Sequence, residues 1–360
     1  MARYNKKSLI TIAVFALLLY AFVAAGPVTE ETVLSLNWIA SLEASYAERM
    51  PDDERLTPFE LGQYFGYVSD DGRFGLNRQK QAYISMADAV WAEYGAQDES
   101  IAVKNGFDSE LFRIENGRGY PLFLDSKTFI VHAEQNSVSL IAGEGPEAGG
   151  IVWTYDFASP LTCIDAAAGH LLAGALDGTI ELIDGEGRRV YFSEPSGSRI
   201  SAVFGCALSA DGKKIAIVSG LDKQRFVLIE QAGAAWRITF HEFLEDGLRR
   251  NVFVRFVDDD NKVVFERENG LGVYDVKKHT SYKIPLDGDV IALEDGGTDR
   301  LLFLITSRGG AGKELVGIKF PNTVIVEAPF SSVDAFLSRK GSRLFAGGKT
   351  TLAAFTIEKK

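Results

Sequence analysis

The residues of this chain that are able to carry chemistry do not form a recognisable catalytic set. Its four histidines are His132, His170, His241 and His279, and none stands at the spacing of a metal-binding pair. The stretch 241–245 differs from the zinc-protease motif H-E-x-x-H because its fifth residue is Glu245. No G-x-S-x-G elbow and no Cys–His pair are evident. We therefore predict no catalytic residue, no metal site and no cofactor, and expect a protein that is not an enzyme.

Two short segments have the composition of ligand-binding loops but are interpreted as turns. The segment 309–314 resembles a phosphate loop, yet Ser307 and Glu314 stand where that loop needs Gly and Ser or Thr. The run Asp258-Asp259-Asp260-Asn261 has the oxygen atoms that a hard cation prefers. It occupies the same position in its repeat as Ser209–Lys213 does in another, so a surface turn is the better interpretation.

The best candidate for a binding surface is the segment 236–251, together with the strand that follows it. It mixes aromatic residues with paired charges, and loops on a rigid scaffold are where binding usually resides. Arginine side chains also recognise carboxylates and phosphates. The candidate partner-binding residues are Trp236, His241, Arg249, Arg250 and Arg255. An ordinary salt-bridged connector is the alternative interpretation.

These candidate residues belong to a chain that contains seven copies of one repeat unit. Each copy is an apolar strand, a tight polar turn and a second apolar strand, most clearly in Phe204–Leu208, 209–214 and Ile215–Val218. The first apolar residue after each turn recurs every 38 to 48 residues: Val90, Phe129, Leu171, Ile215, Val263, Leu301 and Leu344. A period near forty with about four strands per unit indicates a β-propeller, because one small sheet buries its faces only against neighbouring sheets.

The last unit, residues 332–358, has only three apparent strands before the chain ends. An uncovered apolar edge promotes aggregation, so we expect a strand from about 61–79 to complete this unit. The sequence therefore predicts an all-β, seven-bladed β-propeller over residues 59–360. Its blades are four-stranded and antiparallel, and the last blade is closed by an N-terminal strand.

The N-terminus contains an uncharged apolar run, Ser8–Ala25, preceded by Arg3, Lys6 and Lys7. As a helix this run is about 27 Å long, close to the roughly 30 Å of a bilayer core. The positive-inside rule leaves the N-terminus in the cytoplasm. Residues 1–26 are predicted to be a signal-anchor transmembrane helix or a signal peptide cut after Ala25. Residues 27–58 are assigned to a helical and linker segment.

The net charge and the two cysteines limit which partners and which cross-links are expected. The net charge of −11 argues against nucleic acid as a partner, since phosphate binding needs a field of Lys and Arg. Cys163 and Cys206 occupy equivalent positions of neighbouring repeats. Equivalent strands are expected to lie beyond the roughly 7 Å Cα limit of a disulfide, so two buried free thiols are predicted.

The repeats resemble those of WD-repeat-like and quinoprotein-like (YVTN-type) propellers over about residues 61–358. The resemblance rests on turns such as Ser209–Lys213 and on third strands such as Asp177–Asp184. The chain departs from true WD repeats because their Trp-Asp and Gly-His pairs do not recur. It also lacks the recurring tryptophans of quinone-dependent dehydrogenases, which their chains carry blade after blade. The resemblance implies protein–protein scaffolding, with ligands at the rim or at the mouth of a central channel.

We therefore expect a scaffold in the cell envelope that binds an envelope protein. It would be a single-pass protein of the inner membrane with its propeller in the periplasm, or a secreted protein if cleaved after Ala25. The alternative is a propeller hydrolase or lyase that acts on a glycan or peptide at the channel. Channel carboxylates about 5–9 Å apart would favour that enzyme. A membrane sensor is a third interpretation.

Overall fold

The computed structural model describes Phe15 and residues 31–43, 55–95, 97–115, 118–195, 197–245 and 247–359. Within these residues, the strands form eight antiparallel sheets, seven with four strands and one with three. Consecutive sheets pack face to face, and the chain is an all-β, eight-bladed propeller. Blades are numbered here from the N-terminal side.

Strand β1 (Thr32–Ser41) precedes the first blade in sequence but pairs within the last. Blade 1 contains β2 (Leu56–Leu61), β3 (Tyr64–Ser69) and β4 (Phe74–Gln79), and blade 2 contains β5 (Tyr83–Met86), β6 (Val90–Tyr94), β7 (Ser100–Asn105) and β8 (Glu110–Glu115). Blade 3 contains β9 (Gly119–Leu124), β10 (Lys127–His132), β11 (Ser137–Ile141) and β12 (Ile151–Asp156). Blade 4 contains β13 (Leu161–Ala167), β14 (His170–Ala175), β15 (Ile180–Ile183) and β16 (Arg189–Ser193).

Blade 5 contains β17 (Val203–Leu208), β18 (Lys214–Ser219), β19 (Arg225–Ala232) and β20 (Ala235–Phe243), and blade 6 contains β21 (Val254–Val257), β22 (Lys262–Arg267), β23 (Gly270–Asp275) and β24 (Thr280–Pro285). Blade 7 contains β25 (Asp289–Asp295), β26 (Leu301–Ser307), β27 (Gly312–Lys319) and β28 (Thr323–Ser331). Blade 8 contains β29 (Ala335–Lys340), β30 (Arg343–Gly348), β31 (Thr351–Lys359) and the returning β1.

The first strand of a blade lies at the channel and the last at the outer rim. We call the face with the turns between first and second strands the turn face, and the opposite face the loop face.

The predicted number of seven blades is wrong. All seven sequence repeats are present, as blades 2 to 8, but the segment expected to supply one closing strand forms most of a separate blade 1. Every residue of β3 is buried, from Tyr64 to Ser69. A strand buried on both faces needs a packed neighbour on each side, so it lies inside a blade and not at an outer edge.

The last blade is closed by β1, not by the predicted strand from 61–79. Thr32 pairs with Lys359 and Ser41 with Thr351, so residues expected to be helical or linker form a ten-residue strand. A β-bulge lies between Leu36 and Trp38. The bulge reverses which face the side chains point to, and this removes the simple alternation that identifies a strand in sequence.

The predicted N-terminal transmembrane or signal helix finds no support in the structure. Apart from Phe15, residues 1–26 lie outside the described residues. Within the described part of the chain, no helix is long and apolar enough to cross a membrane.

Blade 1 differs from the others in the direction of its strands. The Lys340 ammonium donates a hydrogen bond to the carbonyl of Leu56 (3.1 Å) at one end of β2, and Gly62 lies against Asp334 at the other end. Strand β2 is therefore antiparallel to β29, the first strand of blade 8. In direction, β2, β3 and β4 match the second, third and fourth strands of the other blades. The described residues of blade 1 contain no strand that matches a first strand.

Aspartates on the turn face join adjacent blades. Asp125 accepts a hydrogen bond from the backbone N–H of Gly169 (2.8 Å), and Asp165 accepts one from Leu208 (2.8 Å). In the aspartate-rich turn 258–261, Asp260 accepts from the backbone N–H of Ala210 in the preceding blade (2.8 Å). That turn therefore has a structural role, because its carboxylate satisfies a backbone donor of its neighbour.

Candidate functional site

A cavity of about 500 Å³ opens where the channel reaches the turn face. We call it the channel cavity. It is lined by the first strands of blades 7 and 8, by β2 of blade 1 and by the turn after β5 of blade 2. Its charged lining residues are Glu60, Asp88, Glu294, Arg339 and Lys340, and its apolar walls include Pro58, Met86 and Phe336. The cavity lies beside the one blade whose described residues show no first strand at the channel.

Most of the charged side chains that line this cavity are held in ion pairs. Lys340 forms an ion pair with Asp88 (3.1 Å), and Glu60 forms one with Lys80 (2.6 Å). The buried guanidinium of Arg339 is paired with Asp299 of the neighbouring blade and also donates to the carbonyl of Leu301 (3.1 Å). These pairs hold four of the five charged lining side chains in place.

Glu294 is the fifth and behaves differently. Among the described residues it has no ion-pair partner and no hydrogen-bond partner. Burial raises the pKa of Glu294 to about 7; the cations Arg255 and Arg339 oppose this shift, whereas Asp88 and Asp295 add to it. A carboxyl group that titrates near neutral pH in a cavity is a candidate functional group, because it can bind a cation or exchange a proton.

Of the predicted binding residues, Arg255 lies beside this cavity. It belongs to β21, the first strand of blade 6, and donates a hydrogen bond to the carbonyl of Leu293 (2.8 Å), next to Glu294. Its charge therefore acts on Glu294 across the boundary between blades 6 and 7.

Arg249 and Arg250 lie on the opposite, loop face. Both line a second cavity of about 730 Å³ between blades 5, 6 and 7. Arg250 is engaged with Glu266 (2.6 Å) and Asp289 (3.0 Å), whereas Arg249 has no partner among the described residues. Arg308, across this cavity, is paired with Asp287 (3.0 Å).

Trp236 and His241 lie on the outer rim, in β20. Trp236 packs on Tyr191 of the preceding blade, with ring centroids 5.1 Å apart, and His241 lies 6.0 Å from Phe243. The five predicted residues therefore occupy three places: the channel, the loop face and the rim. The structure does not bring them together into one site.

Sequence reasoning missed Glu294, Asp88 and Lys340. The available signal was the charged pair Glu294-Asp295 at the end of an apolar first strand. The sequence does not show which charges of neighbouring strands pair with each other, because those partners lie far apart along the chain.

One further cluster of polar side chains, around His132, has a structural explanation. His132 hydrogen-bonds Ser139 (2.8 Å), but Ser139 is fully buried and also bonded to Thr154 (2.7 Å), so a substrate has no access to it. No group of three or more possible metal ligands occurs in the described part of the chain.

The two cysteines are free thiols, but they are in contact across the boundary between blades 4 and 5. Their hydrogen bond, together with burial, raises the pKa of Cys206. Both thiols are free, as predicted, but only Cys206 is buried, whereas Cys163 is half-buried.

The ring of radially packed sheets and its channel define the class of the protein as a β-propeller. The sequence profile of a family described as "beta-propeller protein" matches residues 1–360, and the chain belongs to that family. A relative named "Uncharacterized protein" from Treponema pallidum (strain Nichols) is 29% identical over 298 residues, which cover 80% of this chain and 78% of the relative.

Solved structures show the same fold at low identity. BamB from Moraxella catarrhalis has a TM-score of 0.59 at 11% identity, covering 90% of this chain and 100% of that one. The computationally designed Ika8 protein has a TM-score of 0.61 at 14% identity, covering 84% and 96%. These likenesses support the propeller fold, while the finer WD-repeat-like and YVTN-type resemblance stays a prediction.

Proposed function

We propose that this propeller binds another protein of the cell envelope through the outer rim of blades 3 to 5. The observation that carries the proposal is an exposed apolar surface on three consecutive outermost strands, β12, β16 and β20. Each exposes two large apolar side chains, between 45% and 56% exposed: Ile151 and Val152, Val190 and Phe192, Ile238 and Phe243. We call these six residues the rim patch.

The physical argument combines apolar surface with free backbone groups. Exposed apolar side chains that recur on neighbouring strands of one rim offer surface that a partner can cover, and burying this surface would stabilise a complex. Within the described residues, each of the three outermost strands pairs on one side only. Its other edge offers N–H and C=O groups to which an extended segment of a partner can add.

The alternative of a hydrolase at the channel is less well supported. A two-carboxylate mechanism needs one carboxyl as acid and a second as base or nucleophile. At the channel cavity Glu60 and Asp88 are engaged in ion pairs with Lys80 and Lys340, which leaves Glu294 alone. This arrangement favours binding over hydrolysis.

The envelope location is part of the proposal. It is supported by the uncharged run Ser8–Ala25 after three basic residues. Protease added to intact spheroplasts should degrade the propeller; protection until the cells are lysed would contradict this location.

The test of the rim patch is affinity capture of the full-length protein from gently solubilised cells. We expect a stoichiometric protein partner whose recovery falls at least about tenfold with Phe192→Glu and with Ile238→Glu. The matched control is Val324→Glu on β28 of blade 7, which is also exposed (42%) but lies outside the rim patch. A partner that is retained by both rim variants would contradict the proposal, as would the absence of any stoichiometric partner.

A further inference from the structure

The channel cavity has the size and lining of a ligand site and uses a surface distinct from the rim patch. Its volume of about 500 Å³ lies within the roughly 300–1,000 Å³ of small-ligand pockets. Pro58, Met86 and Phe336 supply apolar walls, and a small set of charged groups lies among them. This combination suits a ligand with an apolar part and one charge.

The sign of that charge follows from the ion pairs. Lys340 is already bonded to Asp88 and to the carbonyl of Leu56, and Arg339 is paired with Asp299. Both cations of the cavity therefore already have a carboxylate partner. Glu294 is the lining charge without an ion-pair partner among the described residues, and an anionic ligand would be repelled by its ionised form.

We infer that the channel cavity binds a cationic group on an apolar stem, such as a lysine side chain or a small alkylamine, with Glu294 as its counter-ion. The apolar walls would contact the methylene stem, and the carboxylate would accept charge-assisted hydrogen bonds from the ammonium group. Two sources share this chemistry: a side chain of a partner protein and a free amine.

Binding of this kind is coupled to a proton. The charges that act on the carboxyl of Glu294 are those of Arg255 of β21, Arg339 of β29, Asp88 and Asp295. Lys340 and Glu60 line the same cavity. With its pKa near 7, it is about half ionised at neutral pH. A bound cation favours the ionised form, so binding releases a proton and strengthens as pH rises through 7.

The experiment uses the purified full chain and lysine blocked at both ends as the first probe. Isothermal titration calorimetry in two buffers of different ionisation enthalpy measures both affinity and proton release. We expect binding with release of about half a proton at pH 7 and about tenfold weaker affinity at pH 6 than at pH 8. Blocked norleucine, which keeps the apolar stem without the charge, should not bind.

Further probes distinguish the two sources of the cation. Tighter binding of a blocked lysine-containing pentapeptide than of cadaverine would favour a partner's side chain, and the reverse order would favour a free amine. Either order supports a cation site. Binding of norleucine as strong as that of lysine, or no binding of any cationic probe, would overturn the inference.

Variants locate the site. Glu294→Gln keeps the size of the side chain and removes its charge, so we expect at least tenfold weaker binding and loss of the pH dependence. Glu327→Gln, at an exposed position of β28, is the matched control and should bind as the wild type does. Phe192→Glu should also leave amine binding unchanged, so failure of the rim proposal and failure of this one are distinguishable. Unchanged binding in Glu294→Gln would exclude the proposed counter-ion.

Discussion

Arg250 is a structural clamp at the scale of a single residue. Its guanidinium donates two hydrogen bonds to Glu266, at 2.6 and 2.9 Å, and a third to Asp289 at 3.0 Å. Glu266 is only 1% exposed and also accepts from the backbone N–H of Val290 (3.2 Å). The hydrogen bonds to Glu266 raise the pKa of Arg250 above its ordinary range. The side chain therefore links the loop after blade 5 to blades 6 and 7.

Removing this clamp should destabilise the fold. Arg250→Ala leaves the buried Glu266 carboxylate without its cation, and we expect the free energy of unfolding to fall by about 2–4 kcal/mol. The neighbouring Arg249 has no such partner in the described residues, so Arg249→Ala should change it by no more than about 0.5 kcal/mol. Urea unfolding of both variants followed by circular dichroism gives the two values. Equal effects of the two substitutions would show that the Glu266 contact contributes nothing.

The two arginines also show what a single sequence reveals about a site. Adjacent in the chain, Arg249 and Arg250 have the same residue type and the same apparent potential for binding anions. Only the fold shows that Glu266 engages one of them. Glu294 is the converse case, because its residue type is ordinary and its burial beside Arg255, Asp88 and Asp295 makes it distinctive.

At the scale of elements, β1 joins the two ends of the propeller. It pairs with β31 in blade 8, while its Trp38 side chain reaches blade 1. There the indole N–H donates to the carbonyl of Asp70 (2.9 Å), and Gly72, which has a φ of +89°, lies against the ring. Trp38 also packs on Phe345 of blade 8, with centroids 6.1 Å apart. One side chain therefore contacts both sides of the closure.

Trp38→Ala should weaken that closure. Loss of the ring contacts with Phe345 and Gly72, together with the indole hydrogen bond, should lower the free energy of unfolding by about 2–4 kcal/mol. Leu36→Ala is the control on the same strand, because Leu36 is 54% exposed and should cost less than about 1 kcal/mol. Chemical denaturation of the full-length variants measures both. Similar small losses in the two variants would show that Trp38 does not contribute to closing the ring.

The sequence predicted elements well where their signals were local. Turns such as Ser209–Lys213, flanked by apolar strands, identified all seven repeats that became blades 2 to 8. Blade 1 was missed because its described residues contain no first strand, so the pattern of strand, turn and second strand is incomplete there. Strand β1 was missed because its bulge between Leu36 and Trp38 breaks the alternation. Both errors lie at the closure, where the chain departs from its own repeat.

At the scale of the whole molecule, contacts between blades make the ring a continuous structure. Phe226 of blade 5 stacks on Phe265 of blade 6 with centroids 4.2 Å apart, and Phe65 of blade 1 lies 5.1 Å from Trp91 of blade 2. Aspartate bonds on the turn face add polar links between blades. In an open array of repeats, terminal units can unfold separately because each has only one neighbour. Closure by β1 removes that freedom.

We therefore expect the propeller to unfold in a single cooperative transition. The four tryptophans report on blades 8, 2, 3 and 5, through Trp38, Trp91, Trp153 and Trp236, whereas far-ultraviolet circular dichroism reports on all blades. Denaturation curves from fluorescence and from circular dichroism should have the same midpoint, because no blade has a free end from which to unfold alone. In Trp38→Ala both curves should shift together by the same denaturant concentration. A loss of circular dichroism in the wild type that precedes the fluorescence change would show that part of the ring unfolds independently, so that closure does not couple the blades.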